Sequence, residues 1–526
     1  MKGEIHMKSF CRVVVLVLTI YFWICIPLPS AERYTYVKWE GFKEFAEESL
    51  KIWNVPGLAL AVVAGNDVIY RLGVGICDIN SKAPVSPETL FAIGSTTKSF
   101  TATLSGILVD EGKVDWDTPV VTYLPWIKLK DNLSTERLTL RDLLSHRSGV
   151  PDHTLAWYSR SSTRRDLVKR LLYLEPTADF RTLFQYSNLG ITAAGYILGE
   201  VCSKSWEELT QSKIFQPLDM KNSGFFGSLL NRQKFENFAL PHTLKNGEIE
   251  ILPLSPAYEA VGPAGSIISN VLDMAKWLSL HLRHGAFKGR QIISKDALQE
   301  THFPVIAKAE ISVMDETTWH GMGWFIEPSF LGKRRVSHSG GLEGYKAYVS
   351  FIPEKDVGIV VLTNMDGTFL PYVIADTLYS KLFRREGKNW STYWKKKAKK
   401  MAEASAVDFK AHGVTKKTGT LYAHPLDEYA GEFENPGYGH LHIKHEQNLL
   451  KVSLNGTVHF NLNHLHYDVF TTANIDAPGR EYANYYIGTA KLMFTTDVRG
   501  HVNQAKLIYV PGSGKEIEVV FTRIPR

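Results

Sequence analysis

Ser95-Thr96-Thr97-Lys98 places a hydroxyl and a primary amine three residues apart. On a helix that spacing puts both on one face, within reach of each other. A serine hydroxyl becomes a nucleophile when a neighbouring base takes its proton. Lysine serves as that base once burial or nearby positive charge lowers its pKa. Tyr186-Ser187-Asn188 adds a phenol that can share a proton with an ammonium. It also adds an amide that can orient the lysine or donate to a substrate carbonyl. His338-Ser339-Gly340-Gly341 adds glycines that let a substrate approach the backbone closely, where an exposed N–H could join that of Ser95 in an oxyanion hole. Each stretch alone has a plainer reading. The first spacing is common, the second suits a capped helix start, and the third suits a turn beside a partly buried histidine.

The elements that must position these groups are legible in outline. Trp39, Phe42, Phe45, Leu50 and Trp53 are spaced as on a helix, and the runs 57–64 and 68–75 flank Gly65-Asn66-Asp67 as a hairpin. A helix is expected to begin near Ser95. Residues 110–320 read mostly as helices and loops, including 138–145, entered through Thr139, and 186–200. Strands return at 323–326, 335–339, 345–352 and 358–363, followed by a helix over 370–385. Two early and several late strands predict one antiparallel sheet, with terminal helices on one face and a central helical lobe. Irregular alternation of strands and helices excludes a doubly wound parallel sheet. From 423 onward, eight short alternating stretches, among them 440–444 and 485–488, predict a small barrel or sandwich.

Charge and composition narrow the function classes. The 526 residues are 44% apolar and 22% charged, so the chain is neither disordered nor fibrous. Its net charge of +6 is concentrated in residues 381–420, where twelve Lys or Arg face three Asp or Glu. The rest is slightly acidic, which speaks against nucleic-acid binding. Trp390 and Trp394, with Lys395, Lys396, Lys397, Lys399 and Lys400, suit a basic linker helix docked by its aromatic side. The same stretch over 390–400 offers a contact for an anionic matrix or polysaccharide.

Lys2, Lys8 and Arg12 precede an apolar run over 13–26 and a small-residue exit, the pattern of a secretory signal over 1–31. No integral span is then expected in the mature chain. Secretion fits the sequons at Asn132, Asn389 and Asn455, expected as glycosylation sites. Of the four cysteines, Cys77 and Cys202 would remain, and spacing leaves their pairing open. His440, His442, His445, His459, His464 and His466 match no common zinc spacing, so no metal is expected. His146 is expected to support its loop, and Trp324 and Tyr345 to pack or to wall the pocket.

The three chemical stretches, in this order, resemble the motifs of the β-lactamase-related serine hydrolases. That family includes penicillin-binding carboxypeptidases, class C β-lactamases and related esterases. STTK at 95–98, YSN at 186–188 and HSG at 338–340 match its three motifs. FAIGSTTKSF at 91–100, LRDLLSHRSGVP at 140–151, FQYSNLG at 184–190, PAGSIISNVLDMAKW at 263–277 and HGMGWF at 320–325 are similar as well. LDEYAGEFENPGYG and HLHYDVF resemble the lipocalin-like barrel that follows the hydrolase in some members.

The resemblance implies a β-lactamase/transpeptidase-like α/β (α+β) fold over 36–385, a basic linker over 386–422 and a lipocalin-like barrel over 423–526. It implies Ser95 as acylated nucleophile, Lys98 as general base, Tyr186 as proton shuttle and Asn188 as a carbonyl ligand. Backbone N–H groups of Ser95 and Gly341 would form the oxyanion hole, beside His338, Ser339 and Gly340. No cofactor is required. The expected function is a secreted hydrolase of an ester, amide or peptide. The alternatives are an inactive extracellular binding or matrix protein, and a D-alanyl carboxypeptidase or β-lactamase. Many penicillin-recognising members carry lysine where this chain has His338, and an imidazole only partly charged near neutral pH anchors a carboxylate weakly. Lys417-Thr418-Gly419 spells the third motif out of context and is expected to lie outside the pocket. Oligomeric state stays open.

Overall fold

The computed structural model describes residues 31–525 apart from 158–161, 228–236, 255–257, 309–317, 330–331, 386, 412–415, 477–489 and 511–515. All but Ala31 of the expected export signal over 1–31, and the predicted strand 485–488, lie outside the described residues.

Eight strands form the main sheet: β1 (Gly57–Ala64), β2 (Asp67–Gly75), β3 (Ile306–Lys308), β4 (Thr318–His320), β5 (Phe325–Pro328), β6 (Arg334–Leu342), β7 (Tyr345–Ile352) and β8 (Val357–Thr363). Their spatial order is β3-β4-β5-β6-β7-β8-β1-β2, and each neighbouring pair is antiparallel. The expected antiparallel sheet is borne out, with two further strands, β3 at the edge and β4 beside it. At three residues each, those strands are too short to show a period of two.

β1 illustrates why this sequence makes a central strand. Every residue of Gly-Leu-Ala-Leu-Ala-Val-Val-Ala is buried. Leu58, Leu60, Val62 and Ala64 face one side, and Ala59, Ala61 and Val63 the other. The bulkier side packs with helix α1 (Phe42–Trp53) and with a later helix, Leu370–Leu382. On the other side lies the lobe, built around α2 (Thr97–Asp110), α3 (Asn188–Cys202) and α4 (Val271–Leu282). The helix over Leu370–Leu382 is α5. Each fully buried Leu or Val contributes about 1.5–3 kcal/mol.

The basic segment forms helix α6 (Trp390–Ala411). Trp390 Nε1 donates to Ser380 Oγ at 2.7 Å and Trp394 Nε1 to Asp376 Oδ2 at 2.9 Å, which seats both indoles on α5. Lys395, Lys396, Lys399 and Lys400 remain exposed.

Eight strands between Gly431 and Arg523 close into a barrel. The first, Gly431–Asn435, escaped the sequence reading because Phe433 is its one apolar residue. The barrel is filled by its own side chains. Tyr429, Phe433 and Phe470 have ring centroids 4.8–6.2 Å from that of Phe494.

Candidate active site

The short strand Phe91–Ala92 ends at Ile93, and Gly94 turns the chain through a left-handed φ of 53° into the 3-10 turn holding Ser95. A side chain at Gly94 would meet the Gly341 backbone at 2.8 Å, and one at Gly340 would sit 1.8 Å from the Ile93 carbonyl. Only glycines let the serine turn lie this close to β6. Ser95 is partly exposed, whereas α2 is buried on every side from Thr97 to Leu108. Lys98, in the first turn of α2, therefore has no access to water.

Lys98 Nζ lies 3.0 Å from Ser95 Oγ, 2.7 Å from Asn188 Oδ1 and 2.8 Å from the Ala264 carbonyl. Burial pushes its pKa down to about 7, and the nearby Asp152 carboxylate opposes that fall. This geometry sets the direction of proton transfer. A neutral amine has two hydrogens, and both acceptors other than the hydroxyl are obligatory ones. The amine lone pair is then left facing Ser95 Oγ.

Asn188 is held in that orientation by Asp152. The carboxylate accepts Asn188 Nδ2 at 2.9 Å and its backbone N–H at 3.3 Å, together with Thr154 Oγ1 at 3.0 Å and Trp157 Nε1 at 3.2 Å. Burial raises the Asp152 pKa, and these donors oppose the rise. Neither Asp152 nor the Ala264 carbonyl was singled out from the sequence. Asp152 directly follows the family-like stretch at 140–151, while a backbone carbonyl carries no side-chain signal at all.

Ser187 caps α3 by accepting from the Gly190 N–H, which places Asn188 at the first helical position. Tyr186, half-buried, has its ring centroid 4.7 Å from Lys98 Nζ and 4.5 Å from the His146 ring. His146 takes a left-handed φ of 61°, accepts the Ser187 N–H on Nδ1 at 3.0 Å, and offers its carbonyl to Gln185 N at 2.7 Å. It thus joins the loop carrying LLSHRSG to the loop carrying YSN. Asp142 anchors the first of these loops through Arg147 and Arg181.

β6 carries His338, Ser339, Gly340 and Gly341 past Ser95. β5 pairs only with Arg334–Ser337, so 338–341 continue beyond the end of that pairing. His338 is buried, its Nδ1–H donates to the Ser339 carbonyl at 2.6 Å, and burial beside Lys98 and His320 holds its pKa well below the usual imidazole range. It is neutral near pH 7, in contrast to the partial charge expected from its type alone. Ser339 and Gly341 stay partly exposed.

Other expected features fall elsewhere. Trp324 and Tyr345 are packed in the core, the latter donating to the Ala239 carbonyl at 2.8 Å. Lys417 lies beside Tyr467 of the barrel. Cys77 and Cys202 are separate thiols. Asn132 and Asn389 are exposed, whereas Asn455 uses its amide within the barrel, accepting from His440 N and donating to the Tyr438 carbonyl. His442 and His445 face Glu432 and Asp427. Among the described residues no helix is long and apolar enough to cross a membrane.

Comparison with known proteins agrees with this architecture. A family model described as Beta-lactamase matches residues 42–379, and one described as a domain of unknown function (DUF3471) matches 415–518. The chain is 29% identical over 452 residues to the unguisins hydrolase ungD' of Aspergillus campestris, covering 78% of this chain and 79% of the relative. It is 24% identical over 333 residues to protein flp of Staphylococcus aureus, covering 62% and 63%. The octameric penicillin-binding protein homologue from Pyrococcus abyssi shares 25% identity at a TM-score of 0.59, over 92% of this chain and 99% of that one. The class C beta lactamase from Rhodobacter sphaeroides matches 66% of this chain and 99% of its own at a TM-score of 0.52 and 22% identity, a likeness of fold. With its family match running from the first sheet-covering helix to the last, the chain belongs to the beta-lactamase family, whose members include serine hydrolases.

Proposed function

We propose that this protein is an active serine hydrolase that forms an acyl-enzyme on Ser95. The observation that carries the reading is the Lys98 amine, 3.0 Å from Ser95 Oγ, with its other hydrogen-bonding directions taken by Asn188 Oδ1 and the Ala264 carbonyl. As Oγ attacks a substrate carbonyl carbon, its proton passes to Lys98. The resulting oxyanion is met by the N–H groups of Ser95 and Gly341. Collapse of the tetrahedral centre breaks the bond to the leaving group, which takes a proton through Tyr186. Water then attacks the acyl carbon, its proton returns by the same route, and Ser95 is regenerated. Asn188 holds the lysine and presents its remaining N–H toward the acyl carbonyl.

The substrate is an amide, peptide or ester that does not depend on a carboxylate clamp, because His338 is uncharged and buried. A relative bearing a hydrolase name over most of the chain's length supports turnover over a purely adhesive role. The charge pattern at the N-terminus supports a place outside the cell, and the exposed lysines of α6 support contact with an anionic matrix there.

Fluorophosphonate labelling of the intact protein, with Ser95→Ala as control, tests the nucleophile. Serine-dependent labelling is the expected result; its absence with several probe types would assign the fold to a binding role. Parallel assays of short esters, D-amino-acid peptides and a β-lactam rank the substrate classes, with the β-lactam expected last.

A further inference from the structure

One turn of the barrel, residues 435–439, Asn-Pro-Gly-Tyr-Gly, lies against the hydrolase domain. Its shape is set from several sides. Asn435 Oδ1 accepts the N–H groups of Gly437 and Tyr438 at 2.8 and 3.0 Å, and its Nδ2 donates to the Val520 carbonyl at 2.9 Å. Asn455 Nδ2 donates to the Tyr438 carbonyl at 2.8 Å, and its Oδ1 accepts the N–H of His440 at 2.9 Å. The turn therefore presents Tyr438 as a preset plug.

Tyr438 is buried, and its hydroxyl bonds His153 Nδ1 and lies 3.0 Å from the hydroxyl of Tyr509. The protons in this chain can be assigned. His153 Nε2 lies 3.0 Å from the Glu175 carbonyl, which can only accept, so Nε2 carries the hydrogen. Burial pushes His153 down to about 4, so near neutrality its Nδ1 is an acceptor. Tyr438 must then donate to His153, and Tyr509 must donate to Tyr438. Every member is buried and satisfied, so losing one hydroxyl leaves a neighbour with an uncompensated polar group.

His153 is covalently next to Asp152, whose carboxylate orients the amide of Asn188, which in turn accepts from Lys98. We infer that the barrel turn is a built-in part of the active site. In this arrangement Tyr438 is a positioning residue that fixes the 151–153 loop through His153 and so sets the placement of Asp152, Asn188 and the Lys98 amine. Asp152, His146, His320 and His338 interact electrostatically with Lys98 and the Tyr186 ring lies 4.7 Å from its amine; of these, Asp152 is the one adjoining His153. The inference rests on Ser95 being the nucleophile.

The test is the rate of fluorophosphonate labelling of the full chain against pH, for wild type, Tyr438→Phe and Tyr509→Phe, with thermal unfolding recorded in parallel. Wild type labelled at Ser95 establishes the underlying reading, and failure there sinks that reading, not the barrel relay alone. Given labelling, Tyr438→Phe is expected to slow it about tenfold, the scale of a small misplacement of reacting groups. Loosening Asp152 also weakens the pull of its charge on the lysine, so the midpoint of the pH profile should fall by roughly half a unit. Tyr509→Phe keeps the bond to His153 and should slow labelling about twofold in the same direction. An altered unfolding temperature with unchanged labelling rate and pH midpoint in Tyr438→Phe would show a merely structural contact and overturn the inference. Should Tyr438→Phe fail to fold, an unchanged rate in Tyr509→Phe overturns it equally.

Discussion

The cleft around Ser95 and the interior of the barrel are built from opposite materials. The barrel encloses rings and aliphatic chains, and its strands alternate inward apolar and outward polar residues, as in Val458–His466. The cleft buries an amine, a carboxylate and an amide bound to one another, and three imidazoles each held through Nδ1. An apolar interior tolerates exchange of shapes at modest cost, while a buried polar network fails when a single partner is lost. The two regions should therefore respond differently to substitution: the barrel in stability, the cleft in rate.

The sharpest test of that contrast is Ser95→Ala, expected to lower labelling and hydrolysis by at least about 10³-fold with thermal unfolding within a degree or two of wild type. Loss of the fold together with activity would contradict it. Gly340→Ala comes next. Its new methyl would press on the Ile93 carbonyl and pry the serine turn from β6, at a cost of about 10²-fold in acylation. Far-UV circular dichroism close to wild type would locate the damage in the cleft.

The pH profile gives a smaller, graded effect. With Lys98 pushed down to about 7, its neutral form prevails above that pH. Acylation should fall about tenfold per unit as the pH drops below 6 and should level off above 8. The folded chain also binds fewer protons at Lys98 than the unfolded chain between about 7 and the usual lysine range, so this group's contribution to stability improves as pH rises through that window. Lys98→Met removes this pH-dependent contribution, so its unfolding temperature relative to wild type should be lower at pH 10 than at pH 7. In the barrel, Phe494→Ala removes a ring packed on Tyr429 and Phe470. It should cost about 3–5 kcal/mol in urea unfolding while labelling of the folded fraction stays within about twofold. A large rate effect there would erase the distinction between the barrel interior and the 435–439 plug.

Particular residues show how far the sequence could be read. The β1–β2 hairpin and β7 and β8 were legible because apolar runs bounded by turn residues carry their own signal. Helix starts at Thr139 and Ser187 were legible from capping chemistry, although α3 begins at Asn188, with Tyr186 outside it. Ser95 and Lys98 were legible as a pair, since three residues on one helix face bring them together whatever the rest of the chain does. Asp152 and the Ala264 carbonyl were not, because their role exists only after α3 and the turn at Gly262–Gly265 pack on α2. The neutrality of His338 was hidden for the same reason: residue type gives an intrinsic pKa, and burial decides the shift.

Local pattern and spacing thus determined the hydroxyl–amine pair, the strand-rich ends with a helical middle, and the all-β tail. Tertiary structure alone decided which way the lysine's lone pair faces, which carboxylate steadies it, and that Tyr438 from the tail reaches the loop beside that carboxylate. The reason is physical. Short-range order follows from the repeat of the backbone, whereas hydrogen-bond direction and desolvation depend on atoms that are distant along the chain and near only after folding.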